Sequence, residues 1–252
     1  MTDHQSLVTS QFGARAAAYV TSAVHAQGAD LGDIAEAVAA VSHAHVLDLG
    51  CGGGHASFAA APQAGAVVAT DLSAEMVAAV ATEAARRGLT NITTRQSAVE
   101  ALPFLDKSFD VVMSRLSAHH WTDAAAGLRE ARRVLKPGGV AIFIDVLGAD
   151  DARADLWFQA IELLRDPSHV RDYTLAEWRR MLGAAGFTPG EVRAHTIHLD
   201  FQVWVDRMNT PEVHRQAIRS MPALMPADVA AYLKQEADGS FTINTATMFA
   251  RG

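Results

Sequence analysis

His45-Val46-Leu47-Asp48-Leu49-Gly50-Cys51-Gly52-Gly53-Gly54 is the stretch from which the fold is read. Val46, Leu47 and Leu49 form a short apolar run that stops abruptly in glycine, the pattern of a buried parallel strand. Four of the five residues 50–54 are glycine, a residue that reaches positive φ and lets another molecule approach the backbone. His55 to Ala61 is helix-like until Pro62. Strand, glycine turn and helix together open a nucleotide-binding α/β unit.

Downstream the same alternation continues. Ala66 to Thr70 reads as a second strand ending at Asp71, and Ser73 caps a helix from Ala74 to Arg87 that Gly88 terminates. Strands follow at 91–96, 109–114 and 140–146, the last entered through a sharp turn at Lys136-Pro137-Gly138-Gly139, with a helix at 123–135. Short apolar strands alternating with helices of about a dozen residues predict an α/β fold, a Rossmann-like sheet wound on both faces. Upstream, Phe12, Ala16, Tyr19, Val20 and Ala23 share one helical face, and Leu31, Ile34, Ala35 and Val38 another. Preceding the first strand, these two helices are expected to cover the open end of the sheet as a lid, or else to pack on the sheet edge. The chain thus reads as one domain: a helical lid (1–41), a cofactor-binding core (42–147) and substrate-side insertions with closing strands (148–252). In the last part, Thr174-Leu175-Ala176-Glu177 is a capping box opening a helix, and helices are expected at 152–164, from Thr210-Pro211, and at 225–235. Val192 to Phe201 and Phe241 to Phe249 read as strands.

Composition narrows the partners. The chain has 252 residues, half of them hydrophobic and 19% charged, with 28 acidic against 21 basic side chains. No run of Lys and Arg tracks a phosphate backbone, so nucleic acid is not an expected partner. Cys51 is the single cysteine, which excludes an internal disulfide and a cysteine metal cluster. The first residues lack the basic start and apolar stretch of a signal peptide, and no window of about 18 apolar residues is present. A cytoplasmic protein without a membrane span is expected, as a single copy or a homodimer.

Two ligands suit such a glycine turn, a dinucleotide and S-adenosylmethionine. A dinucleotide site wants G-x-G-x-x-G. Here the third place is His55, and the spacing is Gly50, Gly52, Gly54. Asp71, 21 residues beyond Gly50, offers a carboxylate to two ribose hydroxyls with either ligand. The glycine spacing therefore favours S-adenosylmethionine.

Val46 to Gly54, Asp71-Leu72-Ser73-Ala74-Glu75-Met76, Leu102-Pro103-Phe104 with Phe109-Asp110-Val111-Val112, and Arg133 to Gly139 occur in that order. Together they resemble the motifs of class I S-adenosylmethionine-dependent methyltransferases, most closely the branch of the ubiquinone/menaquinone-biosynthesis C-methyltransferases and their small-molecule relatives. The resemblance implies a mostly parallel seven-stranded sheet with an antiparallel last strand. It also implies methyl transfer to a small-molecule acceptor such as a quinol or phenol, leaving S-adenosylhomocysteine. Carried over by position, Gly50, Cys51 and Gly52 would pass beside the methionine part and Asp48 would face its ammonium. Asp71 would hold the ribose, Leu72 and Met76 would pack near the adenine, and Ser97, Ala98 and Val99 would line the ring's other side. Relatives carry an acidic residue where Ala98 stands. That departure supports an alternative, a sensor or accessory protein that binds S-adenosylmethionine or S-adenosylhomocysteine without transferring methyl.

The acceptor's chemistry should sit beyond the fourth strand, since ligands of open α/β sheets lie at the strands' carboxyl ends. The sequence there is Ser114-Arg115-Leu116-Ser117-Ala118-His119-His120-Trp121. His119 or His120 would serve as general base, His119 being preferred; ordering of the loop is the competing role. No metal site is expected, because adjacent histidines point apart and no nearby Cys or Glu completes a ligand set. Tyr19 would touch the cofactor's tail or the substrate, or else pack half-buried on its helix. Arg115 would pair with a carboxylate of cofactor or substrate, or form a structural salt bridge. The polar cluster Arg165 to Arg171, with His169 and Arg171, would read an anionic or oxygenated substrate, or else form a solvated turn between two helices.

Overall fold

The computed structural model describes residues 3–13, 15, 16, 19 and 28–252. Helix α1 (His4–Gly13) and α2 (Ala29–Ala39) precede β1 (His45–Leu49), α3 (His55–Ala60), β2 (Ala66–Asp71), α4 (Ala74–Arg86), β3 (Ile92–Gln96) and β4 (Phe109–Arg115). A 3₁₀ turn (Ala118–His120) leads to α5 (Ala124–Val134) and β5 (Leu135–Val146). Then come α6 (Ala152–Arg165), α7 (Leu175–Ala184), β6 (Thr188–Leu199), α8 (Phe201–Arg207), α9 (Glu212–Ser220), α10 (Ala227–Tyr232) and β7 (Phe241–Arg251).

The seven strands form one sheet in the order β3-β2-β1-β4-β5-β7-β6. The first five run parallel, and β7 enters antiparallel between β5 and β6. Strand order reverses between β1 and β4, which opens a crevice at their carboxyl ends. Both ends of that crevice, Gly50 after β1 and Arg115 at the end of β4, come from this switch point.

Alternation along the central strands sends side chains into two layers. Leu47, Leu49 and Val112 face Leu128 and Val134 of α5 and Trp178 of α7, while Val46, Val111 and Met113 face Ile34 and Val38 of α2 and Ala56 of α3. Each buried aliphatic side chain stabilises the fold by about 1.5–3 kcal/mol, so the sheet is a rigid platform.

Three expectations change. First, α2 does not belong to a lid: Ile34 and Val38 are fully buried against the sheet, so its apolar stripe is claimed by the core. The cover over the crevice comes from α1 and Tyr19; Val20 and Ala23 of the expected first lid helix lie outside the described residues. Second, Lys136–Gly139 is not a turn before β5 but an excursion within it. Leu135 pairs with Phe109 and Val140 with Val111, and Gly138 takes φ +74° to let the extra residues bulge out. Third, Phe201 does not end β6. Asp200 caps Val203 and turns the chain into α8, burying Phe201 and Trp204 together. The capping box at Thr174 and Glu177 forms as expected.

Candidate active site

The glycine turn has the geometry its composition suggests. Gly50 lies at φ +64°, and a Cβ there would stand 1.9 Å from Ser117 Oγ, so both backbone and neighbour demand glycine. Gly52, at φ +49°, differs: a Cβ would meet nothing within 4 Å, because the residue faces open space at the crevice. That space is a cavity of about 970 Å³ including its mouth.

The cavity gathers all twelve residues expected around the cofactor. Asp48 comes from β1, Gly50, Cys51 and Gly52 from the turn, Asp71 and Leu72 from the end of β2 and just beyond it, and Met76 from α4. Ser97, Ala98 and Val99 follow β3, Arg115 ends β4, and Tyr19 closes over them. Asp71 is held with both oxygens aimed by backbone: Gly52 N–H donates to Oδ2 and Ser73 N–H to Oδ1, each at 2.9 Å. Burial pushes its carboxyl up, against the pull of those hydrogen bonds. Asp48 accepts from Ser57 Oγ–H at 2.6 Å through Oδ2, and its other oxygen, Oδ1, is buried without a partner. Burial raises the Asp48 pKa to about 7, with the charge of Asp71 adding to the effect. A buried carboxylate oxygen without a donor is expensive unless a ligand supplies one. A paired-hydroxyl acceptor, an orphaned carboxylate oxygen and a side-chain-free rim fit a ribose and an ammonium of one elongated ligand, as S-adenosylmethionine presents them.

Several cavity residues have structural partners of their own. Arg115 clasps Asp30 at the start of α2, Nε to Oδ2 at 2.5 Å and Nη2 to Oδ1 at 3.3 Å. Cys51 is 8% exposed, and burial pushes its thiol well up, so it acts as a small turn residue. Met76 is buried in the rim, with its backbone N–H capped by Ser73. His55, the residue that breaks the dinucleotide spacing, donates from Nε2 to the Tyr19 carbonyl at 2.9 Å and so ties the glycine turn to its cover.

A second cavity of about 630 Å³ adjoins the first, and the two share Phe12, Tyr19, Leu116 and His120. His119 lines the second cavity only. Its Nδ1 lies 2.5 Å from Asp145 Oδ1 and 4.0 Å from Asp172 Oδ1. Burial alone would lower the pKa of His119, but the charge and hydrogen bond of Asp145, with Asp172 and Glu162 beyond, outweigh it and push the value to about 9. His120 is the opposite case. Burial, then the charge of His119, lowers its pKa to about 4. Its Nδ1 faces the Ser168 carbonyl at 3.1 Å, and a carbonyl only accepts, so the proton sits on Nδ1 and the lone pair on Nε2. The two adjacent rings, 4.2 Å apart, therefore hold different protonation states at neutral pH.

Two of the residues expected to read the substrate are placed elsewhere. His169 is buried and bonds Gln159 Oε1 at 2.7 Å, and Arg171 pairs with Asp155 and Glu177; neither lines either cavity. Both pin the segment that carries Ser168 and Asp172. Sequence reasoning missed Asp145, Glu162, Asp172, Trp204 and Arg207 on or behind the second cavity, and Gln5 and Val8 of α1 on the first, whereas Arg165 and Asp166 of the polar cluster 165–171 do line the second cavity. Asp145 had a signal: an acid after Ala141-Ile142-Phe143-Ile144 at a carboxyl strand end, beside β4. The others are carried by insertions with no fixed spacing. His119, Asp145 and Asp172 bring potential ligand atoms within 4.8 Å of one another, a grouping that the expectation of no metal site overlooked because the two acids arrive from other elements. In this geometry the Nδ1 proton occupies the place a cation would take.

Comparison with known proteins is consistent with this geometry. Residues 47–143 match the family model described as a methyltransferase domain. The chain is 46% identical over 189 residues to the uncharacterized protein YafE of Escherichia coli K12, covering 75% of this chain and 91% of that one. It is 33% identical to the uncharacterized methyltransferase YcgJ of Bacillus subtilis over 79% of each chain. The crystal structure of a putative methyltransferase from Bacillus halodurans, 31% identical, superposes with a TM-score of 0.85 over 89% of this chain and 99% of that one.

Proposed function

Because the chain belongs to the class I S-adenosylmethionine-dependent methyltransferases, we propose that it methylates a small molecule bearing an ionisable hydroxyl or enol, quinol- or phenol-like, held in the second cavity. The observation that carries this reading is the junction of the two cavities at Phe12, Tyr19, Leu116 and His120. A ligand in one can meet a ligand in the other there.

In this reading Asp71 takes the ribose hydroxyls of the cofactor, and Asp48 Oδ1 takes its ammonium. Gly50, Cys51 and Gly52 run beside the methionine part. Leu72, Met76 and Val99 bracket the adenine, with Ser97 and Ala98 at its edge. Bound S-adenosylmethionine supplies an electrophilic methyl group, so the protein's remaining task is to align and activate a nucleophile. His120, uncharged at neutral pH with its Nε2 lone pair free of the Ser168 bond, accepts the acceptor's proton. His119, charged and anchored by Asp145, stabilises the negative charge that develops on the acceptor. Tyr19 and Phe12, in edge-to-face contact at 5.5 Å, wall the junction from water. The preference for His119 as base is thus exchanged for a division of labour.

The test is incubation with S-adenosylmethionine labelled in the methyl group, against phenols, quinols and small amines. Label in phenols or quinols is expected. Transfer to amines alone, or to no member of the panel, would sink the acceptor assignment.

A further inference from the structure

The second cavity holds a cation that the chemistry above leaves unused. Arg207, at the end of α8, lines it. Its Nε is buried with no hydrogen-bond partner, and among the described residues no carboxylate pairs with its guanidinium. Arg165, from the end of α6, lines the same cavity. It is fixed differently: Nε donates to the Trp204 carbonyl at 3.2 Å, and the guanidinium lies 4.8 Å from the centre of the Trp204 ring. Glu162 answers Arg165 at 3.6 Å.

The other acids of the cavity lie toward the histidines. Asp166 Oδ1 accepts from Ser168 N–H and Oγ–H, while Asp166 Oδ2 is buried without a hydrogen-bond partner, 3.9 Å from His120 Nε2. Asp172 stands beside His119. The Arg207 guanidinium is thus half-buried with no carboxylate in hydrogen-bond contact, Glu162 acting on it only from a distance, and an anion arriving from outside would complete it. Between the charges the wall is apolar, built by Val146, Ile197, Leu199 and Ile243.

We propose that Arg207, seconded by Arg165, binds an anionic group, a carboxylate or a phosphate, on the methyl acceptor. The acceptor is then a small hydroxylated apolar molecule, such as a hydroxyaryl acid, with its hydroxyl at the histidines and its anion at the arginines. Guanidinium presents a planar fork of donors suited to either anion. The inference rests on the assignment of the second cavity to the acceptor.

Calorimetric titration of the full chain in the presence of S-adenosylhomocysteine tests it. The probes are 4-hydroxybenzoate, 4-hydroxyphenylacetate and phenyl phosphate, each against a neutral partner: 4-hydroxybenzamide, 4-hydroxyphenylacetamide and phenol. At least one anion should bind about tenfold or more tightly than its partner, the better anion telling carboxylate from phosphate. Arg207→Gln should erase the difference, and Arg207→Lys should keep part of it. Affinity for S-adenosylhomocysteine, whose cavity Arg207 does not line, should be unchanged and reports folding of both variants. Parity between anions and neutral partners up to about 10 mM would overturn the proposal, since such parity leaves Arg207 no anion to bind. So would a preference that survives Arg207→Gln. Methyl transfer to neutral phenols without anion preference would remove the anion site alone. Anion binding lost in Arg207→Gln, but with no methyl transfer to any probe, would keep the site and remove the acceptor assignment.

Discussion

His119 Nδ1 lies 2.5 Å from Asp145 Oδ1, which joins the loop after β4 to the carboxyl end of the neighbouring strand β5. Both side chains are largely withdrawn from water, 15% and 3% exposed. The pair fixes which ring of the His119–His120 doublet is charged, and with it the direction in which a proton can move at the cavity junction.

That pair makes stability pH-dependent in a defined window. Burial opposes the charge on His119, yet Asp145, Asp172 and Glu162 lift its pKa to about 9 from the ordinary 6.5. A raised value in the folded state contributes stability that is complete below pH 6.5 and is lost as pH rises through about 9. Denaturant unfolding of the wild type should show a loss of roughly 2–3 kcal/mol between neutral pH and the far side of that window. Asp145→Asn should remove this dependence and destabilise the protein at pH 7 by about 3 kcal/mol, as expected for one partner of a buried pair. A histidine NMR titration reads the same shift directly: an unperturbed His119 in the wild type would refute it.

His120 should behave as a base that is never protonated in the working range. Its pKa, lowered to about 4 by burial and by His119, keeps it neutral above pH 5 or so. With an acceptor found by the labelling screen, kcat/KM should not fall as pH drops from 8 to about 6 on account of this residue. His120→Ala should lower kcat by about 10²–10⁴, the usual contribution of general base catalysis. A variant with near wild-type kcat would reduce His120 to an organiser of the loop.

How far the sequence reveals the site follows from where each residue sits. Asp48, Gly50, Asp71 and Ser97 lie at fixed offsets from strand ends, so spacing along the chain is also spacing in the crevice. Glu162, Arg165, Asp172 and Arg207 sit on α6, α8 and the segment before α7, elements whose approach to β4 depends on tertiary packing of Phe158, Leu199 and Trp204. No local period encodes that. The position of α2 fails for a related reason. Ile34 and Val38 give it an apolar stripe, but a stripe does not say whether it covers a sheet face or an open end.

Asp71 is the sharpest test of the cofactor site. Its oxygens are oriented by Gly52 and Ser73 N–H groups and keep lone pairs toward the cavity. Asp71→Ala removes up to two charge-assisted hydrogen bonds to a ribose, so affinity for S-adenosylhomocysteine should drop by about 100-fold or more. Circular dichroism should show the fold retained, since the central packing of β1 and β4 does not involve this side chain. Unchanged affinity in a calorimetric titration would contradict the ribose assignment.

Asp48 adds a pH dependence of its own. Burial, reinforced by Asp71, raises its pKa to about 7 in the ligand-free protein. The sign is the reverse of a salt-bridged aspartate: ionisation is disfavoured by folding, so this group's contribution to stability falls as pH rises from about 4 toward 7. A cationic ammonium at the orphaned Oδ1 favours the ionised form and draws the pKa down. Affinity for S-adenosylhomocysteine should therefore weaken below pH 7, approaching about tenfold per unit of pH. Asp48→Asn keeps an acceptor for Ser57 Oγ–H but cannot ionise. It should flatten that slope, bind the cofactor product weakly at every pH, and leave the ligand-free protein more stable than wild type at pH 8. A slope that persists in Asp48→Asn would assign the titration to another group.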